Sequence, residues 1–160
     1  MDEKKVTTFY TDDHDKLDGY FKCFQKTKRQ DYAQSRECFE KFKSGLHRHI
    51  AWEEEILFPL FEEKTGMTDG GPTFVMREEH RQIKALLEEV HKKVQRQDPE
   101  SDQEEQLLWD VLKQHNHKEE NILYPAIDQF ISDEERQNVF GKMDALPEHK
   151  YKTCCHQKID

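Results

Sequence analysis

One spacing constrains this chain more than any other feature. His14, His49, Glu53 and Pro59 recur 66 positions later as His80, His115, Glu119 and Pro125. The run Glu54-Glu55-Ile56-Leu57-Phe58-Pro59 returns as Glu120-Asn121-Ile122-Leu123-Tyr124-Pro125. An internal repeat sets the whole architecture, because each copy is one structural unit that has to bury its apolar face against the other. Four histidines and two glutamates at matching places predict a duplicated helical hairpin closing on an internal metal site.

The spacing also predicts the topology. His14 and His49 lie 35 residues apart, as do His80 and His115, and the midpoints fall at Gln30-Asp31-Tyr32 and Gln97-Asp98-Pro99. Between the halves stand Lys64-Thr65-Gly66 and Gly70-Gly71-Pro72, residues that interrupt helices. A helix that leaves a histidine, turns, and returns over an equal length brings the second histidine level with the first. The chain is therefore expected to be all-α: an up-down-up-down four-helix bundle with the four histidines in one layer.

Helices are expected from about Asp12 to Lys28, Asp31 to Glu63, Thr73 to Arg96 and Ser101 to Phe130. A short extra helix over Asp133 to Asp144 follows from the capping pattern Ser132-Asp133-Glu134-Glu135, with Pro147 ending it. Residues 1–146 form the bundle with this extra helix, and residues 147–160 form a tail. Pro59 and Pro125 are expected to kink or end their helices. The inward stripes read as His14, Leu17, Phe21 and Phe24; His49, Glu53, Ile56 and Leu60; His80, Ile83, Leu87, Val90 and Val94; and Leu108, Leu112, His115, Glu119 and Ile122. In each stripe the candidate ligands sit on the apolar face.

Composition bounds the rest. Hydrophobic residues make up 34% and charged residues 37%, which a bundle tolerates because each helix needs only an apolar stripe. Ten phenylalanines, five tyrosines and two tryptophans argue against disorder. A net charge of -9 argues against nucleic acid as a partner. No apolar run approaches the roughly 20 residues that span a membrane. Met1-Asp2-Glu3-Lys4-Lys5 leads into no apolar signal core, so a cytoplasmic location is expected. Cys23, Cys38, Cys154 and Cys155 form no CxxC pair, and in a reducing compartment free thiols follow, with Cys23 and Cys38 as packing residues.

The chemistry follows from donor type. A histidine and a glutamate four positions apart lie one turn apart on one helix face. His49 with Glu53, and His115 with Glu119, can bind from one side of a cavity, while His14 and His80 each add an imidazole. Imidazole and carboxylate together suit Fe, Mn or Zn. Two carboxylates could each bridge two metals, and a pair of cations would offset the cost of burying both glutamates. Phe21, Phe24, Ile56, Leu87 and Ile122 are expected to line the cavity, with Trp52 helping to close it. His47 and His117 read as surface or supporting residues and His91 as packing or solvent-facing. His149 and His156 fall in the tail, where Cys154-Cys155-His156 reads as an accidental cluster. Glu100 to Glu105 reads as a solvated helix start.

Asp12-Asp13-His14-Asp15, His49 through Pro59, Gly71 through His80 and His115 through Pro125 together resemble the hemerythrin-like family of HHE cation-binding domains, over about residues 10 to 130. The resemblance implies a four-helix bundle with an oxo- or hydroxo-bridged non-haem di-iron centre. It implies ligands at His14, His49, Glu53, His80, His115 and Glu119. Oxygen-carrying members have a further histidine one turn after the third-helix ligand, and here that position, beside the expected cavity, is Lys84. Reversible oxygen carriage is thereby put in doubt. The leading expectation is a di-iron protein that binds or senses O2, another diatomic or an oxidant. An iron-handling or iron-sensing regulatory module is the alternative. A weak oxidase or peroxidase ranks third, because the ExxH pairs of carboxylate di-iron oxidases are missing.

Overall fold

A computed structural model describes residues 5–67 and 69–152, and every element among them is helical. The helices are α1 (Val6–Thr27), α2 (Tyr32–Trp52), α3 (Phe58–Thr65), α4 (Pro72–Gln95), α5 (Asp102–Lys118), α6 (Tyr124–Phe130), α7 (Asp133–Ala145) and α8 (His149–Lys152). Two π-helical turns, Glu53–Leu57 and Glu119–Leu123, join α2 to α3 and α5 to α6 without a break in the rod. The long helices form a bundle in which α1 packs on α2 and α4 on α5, and α6 closes back on α1. No described helix is long and apolar enough to cross a membrane.

The turns fall where the sequence places them. Asp31 caps α2 by accepting a hydrogen bond from the Gln34 N–H. Gly66 ends α3 at φ 72°, a left-handed conformation that costs glycine nothing, and Pro72 opens α4. Ser132 and Glu135 form a reciprocal capping box that starts α7. The Cys154-Cys155-His156 cluster lies outside the described residues.

Helix α1 begins six residues before the expected start at Asp12, and its cap comes from the far end of the chain. The N–H groups of Val6 and Thr7 donate to the two Asp128 carboxylate oxygens at 2.9 Å each, and the Thr7 hydroxyl donates to the same carboxylate at 2.6 Å. A helix start leaves N–H groups unpaired, and here a carboxylate on α6 pairs two of them. The extra turn buries Val6 and Tyr10 completely.

The π turns explain the main correction to the inward stripes. Proline has no N–H to donate and clashes with the carbonyl four residues earlier, so a wider turn ahead of Pro59 and Pro125 relieves both problems. The N–H of Phe58 reaches back to the Glu53 carbonyl, and that of Tyr124 to Glu119. One extra residue per turn rotates everything downstream by about 100°. The buried residues are therefore Leu57, Phe58 and Phe61 rather than Ile56 and Leu60, which are half-buried. Leu123 and Tyr124 are buried in place of Ile122, which is 64% exposed.

Two apolar cores result. One holds Phe21, Phe24, Phe39, Phe42, Ile83, Leu87 and Leu108 among others. The second holds Tyr10, Trp52, Leu57, Phe58, Phe61, Tyr124 and Ile127, with Val139 and Met143 of α7. On each long helix the candidate ligands separate residues of one core from residues of the other. His14 stands between Tyr10 and Leu17, His80 between Met76 and Ile83, and Glu119 between Leu112 and Leu123. The bundle thus carries one polar layer between two dry ones.

Two further expectations are corrected. Cys23 and Cys38 are not free thiols: they form a disulfide between α1 and α2, with Cα atoms 6.0 Å apart. The hairpin brings them face to face, a proximity that a count of CxxC motifs does not register. Glu105 is not solvated. It is 2% exposed and takes a 2.6 Å hydrogen bond from the Lys28 ammonium, itself buried. The pair satisfies two charges that would be costly alone.

Replacing Asp128 with alanine removes the cap on α1. We expect a loss of about 1 kcal/mol, the usual effect of deleting a helix cap, read by urea denaturation. Hydrogen exchange should accelerate selectively at Val6 and Thr7; unchanged protection there would contradict the capping role.

Candidate metal centre

The six candidate ligands converge. Glu53 and Glu119 are fully buried, and His14, His49, His80 and His115 are at most 3% exposed. His80 Nε2 stands 3.1 Å from Glu53 Oε1, and His49 Nε2 stands 3.6 Å from the same atom. His115 Nε2 and His14 Nε2 lie 3.1 Å and 3.3 Å from Glu119 Oε1. Two groups of donor atoms, each spanning no more than 4.8 Å, could hold a cation: Glu53, His80, His115 and Glu119, and His14, His49 and Glu119. Glu119 belongs to both.

Each histidine is oriented by a carboxylate on its outer nitrogen. His14 Nδ1 pairs with Glu120 at 2.7 Å, His49 Nδ1 with Asp13 at 2.8 Å, His80 Nδ1 with Glu54 at 2.7 Å, and His115 Nδ1 with Glu79 at 2.9 Å. An ionised carboxylate only accepts, so each Nδ1 carries a proton and each Nε2 is turned inward. The four links form a closed ring. Asp13 of α1 holds the histidine of α2, Glu54 holds that of α4, Glu79 of α4 holds that of α5, and Glu120 holds that of α1. The ring obeys the repeat, since Asp13 and Glu79, like Glu54 and Glu120, are 66 positions apart. These four carboxylates flank the ligands in sequence, which is the signal by which they could have been found.

The electrostatics favour cations in the layer. Burial and the charge of Glu119 raise the pKa of Glu53. Burial also opposes ionisation of Glu119, but His115 and His14 outweigh it and hold Glu119 well below the usual carboxylate range. Burial disfavours charge on His14, yet its hydrogen bonds to Glu119 and Glu120 lift it to about 9. His115 is lifted to about 10 against burial, chiefly by the charge of Glu119. Without metal, the layer holds itself together by binding protons. Glu53 Oε1, Glu119 Oε2 and His80 Nε2 are buried and make no hydrogen bond, though they point into the layer. Unpaired buried acceptors of this kind are costly, and imidazole with carboxylate is a donor set that suits iron, manganese or zinc. The residues present therefore fit a metal centre.

Tyr124 is the functional residue that the sequence reading missed. It is fully buried, and its hydroxyl lies 2.7 Å from Glu53 and 2.9 Å from Glu119, where its one proton can be donated to either carboxylate. The same oxygen lies 3.1 Å from His49 Nε2 and 3.3 Å from His14 Nε2. Burial and the two carboxylates raise its pKa well above that of free tyrosine. The counterpart in the first half, Phe58, lies parallel to the His80 ring at 5.8 Å. Only a correct phase through the π turn brings residue 124 inward.

Most expected cavity residues lie elsewhere. Phe21, Phe24 and Leu87 belong to the core on the far side of the layer. Ile56 packs against the second core, and Ile122 faces outward. Trp52 packs in the second core against Tyr10, whose ring lies 6.4 Å from it and 5.1 Å from His49. Lys84 is half-buried, and its charge acts on Glu54 and His47. His47 is 6% exposed, so it is no surface residue; burial, then Lys84 and Lys43, lower its pKa to about 4. His91 is buried and bonded to the Lys43 ammonium at 2.7 Å, a packing role as expected. His117 is exposed.

The family described as hemerythrin HHE cation-binding domain matches residues 5–127. Among curated proteins, a DNA nickase of Nostoc sp. is 29% identical over 125 residues, covering 78% of this chain and 34% of that protein. The iron-sulfur cluster repair protein YtfE of Yersinia pseudotuberculosis is 31% identical over 90 residues, covering 50% of this chain and 40% of the relative. The chain thus spans well under half the length of either relative. No solved structure matches it significantly.

Replacing Glu120 with glutamine keeps its size but weakens its hold on His14. Metal affinity should fall by roughly 10- to 100-fold, as for other partners of ligating histidines, with the fold intact by circular dichroism. The metal-free protein should also depend on pH in a particular direction. Its raised histidines stabilise the fold fully below about 6.5, the ordinary imidazole value, and that contribution is lost as pH rises through about 9 for His14 and about 10 for His115. Denaturation midpoints measured in chelator between pH 6.5 and 10 should decline; a flat profile would contradict the proton-bound layer.

Proposed function

The chain belongs to the hemerythrin HHE cation-binding family, and from that premise we propose that it is a di-iron protein that binds or senses O2, a related diatomic or an oxidant. The observation that carries the reading is the shared carboxylate. Glu119 contributes to both donor groups, so two cations could sit side by side with one carboxylate in common. In this reading His14, His49 and Glu119 hold one iron, and Glu53, His80, His115 and Glu119 hold the other. The supporting frame is an up-down-up-down four-helix bundle of two equivalent hairpins. Manganese or zinc could occupy the same donors.

When bound, the irons supply reversible one-electron chemistry toward a small ligand. The chain's own residues do the rest. The outer carboxylates fix the imidazole planes. The core of Tyr10, Phe58 and Leu123 excludes water, and in the metal-free protein Tyr124 holds a proton on Oη between Glu53 and Glu119. With two histidines in each donor group, this centre is not expected to be a reversible oxygen carrier. Oxidation on contact with O2 suits a sensor better than a carrier.

A second reading is favoured by one observation: the relative from Yersinia pseudotuberculosis is named for iron-sulfur cluster repair. It makes this chain an iron-handling module whose fold is set by metal occupancy. The DNA nicking in the other relative's name is not carried over, because this chain spans 34% of that protein and has a net charge of -9.

Anaerobic Fe(II) titration of metal-free protein should saturate near two irons per chain. His14→Ala should leave one tight iron, whereas Glu119→Ala should weaken both. A single site in the wild type would overturn the dinuclear reading. Limited proteolysis then separates the two functions: protection that changes when O2 is admitted supports sensing, and protection set by iron alone supports iron handling.

A further inference from the structure

We propose that Tyr124 is an iron ligand, its phenolic oxygen completing the His14–His49 side of the centre and leaving the His80–His115 side as the one open to an outside ligand. The inference rests on the dinuclear reading above and adds to it an asymmetry that the repeat alone does not contain.

Four metal-type donor atoms crowd the hydroxyl. Oη lies 2.7 Å from Glu53, 2.9 Å from Glu119, 3.1 Å from His49 and 3.3 Å from His14. A phenol has one proton, which serves one carboxylate at a time. A residue placed only for packing would not be surrounded in this way, and a buried oxygen so placed is a donor positioned beside a cation. Of its four neighbours, His14 and His49 are both imidazoles of one donor group, Glu119 is shared by the two groups, and Glu53 alone comes from the other.

The other half of the repeat offers no such oxygen. Phe58 occupies the equivalent place, flat against His80. Arg77 stands over the Phe58 ring, 5.6 Å from its centre. The second donor group is therefore bordered by a hydrocarbon face, which can exclude water but cannot ligate. When the Tyr124 oxygen binds iron, one oxygen–iron bond forms and the phenolic proton leaves to solvent; no electron is transferred.

A phenolate on Fe(III) gives a charge-transfer band in the visible, and excitation into that band enhances tyrosine ring vibrations. The test loads the full chain with Fe(II), oxidises it with O2, counts iron colorimetrically and records resonance Raman spectra. We expect two irons and tyrosine ring modes in the wild type and in Tyr10→Phe. Tyr124→Phe should keep two irons and lose both the modes and the visible band. Two irons without tyrosine modes would overturn the ligand assignment while the dinuclear reading stands. One iron with tyrosine modes lost in Tyr124→Phe would overturn the dinuclear reading and leave the ligation in place. Should Tyr124→Phe fail to fold, loss of the modes in Tyr10→Phe would still refute the assignment, because it would make Tyr10 their source.

Discussion

Two carboxylates with no access to water, Glu53 and Glu119, set the terms for everything around them. An ionised carboxylate in a dry interior is expensive unless charge and hydrogen bonds surround it. The four histidines supply that surrounding from inside the layer, and Asp13, Glu54, Glu79 and Glu120 supply the next shell. The two apolar cores above and below keep water out and so maintain both the cost and its compensation. A helix cannot slide in this bundle without moving a histidine away from its outer carboxylate on a neighbouring helix.

The π turns are the local device by which the rods serve both purposes. Each begins at a buried glutamate and ends two residues before a proline. An unbroken α-helix through this stretch would aim Ile56 and Ile122 inward and carry Phe58 and Tyr124 away from the layer. The extra residue reverses that, so the proline governs which aromatic group reaches the centre.

The repeat made the six donors legible, because two copies of His and Glu at one offset cannot both be accidents of helix composition. It also made the turns legible through Asp31, Gly66 and Pro72. What stayed hidden depended on distance in sequence or on helix phase. Asp128 caps a helix that starts more than a hundred residues earlier. Cys23 and Cys38 meet only once α1 and α2 are paired. Glu105 reads as one more solvated acid until Lys28 is brought beside it. Ile122 and Tyr124 exchange roles for the sake of one additional residue in a turn. The outer carboxylates lay in plain view beside His14, Glu53, His80 and Glu119, but a list of acidic residues does not say which imidazole each one reaches.

The difference between Phe58 and Tyr124 has a consequence for how such a protein can arise. Two identical hairpins could assemble as a symmetric pair and enclose the same six donors. Every position would then occur twice in equivalent surroundings, so that pair would present either two phenols or none. Joining the hairpins in one polypeptide removes that restriction: a substitution in one half no longer forces the same substitution in the other. Covalent fusion thus allows the two ends of one cage to acquire different chemistry while the scaffold around them stays nearly two-fold symmetric.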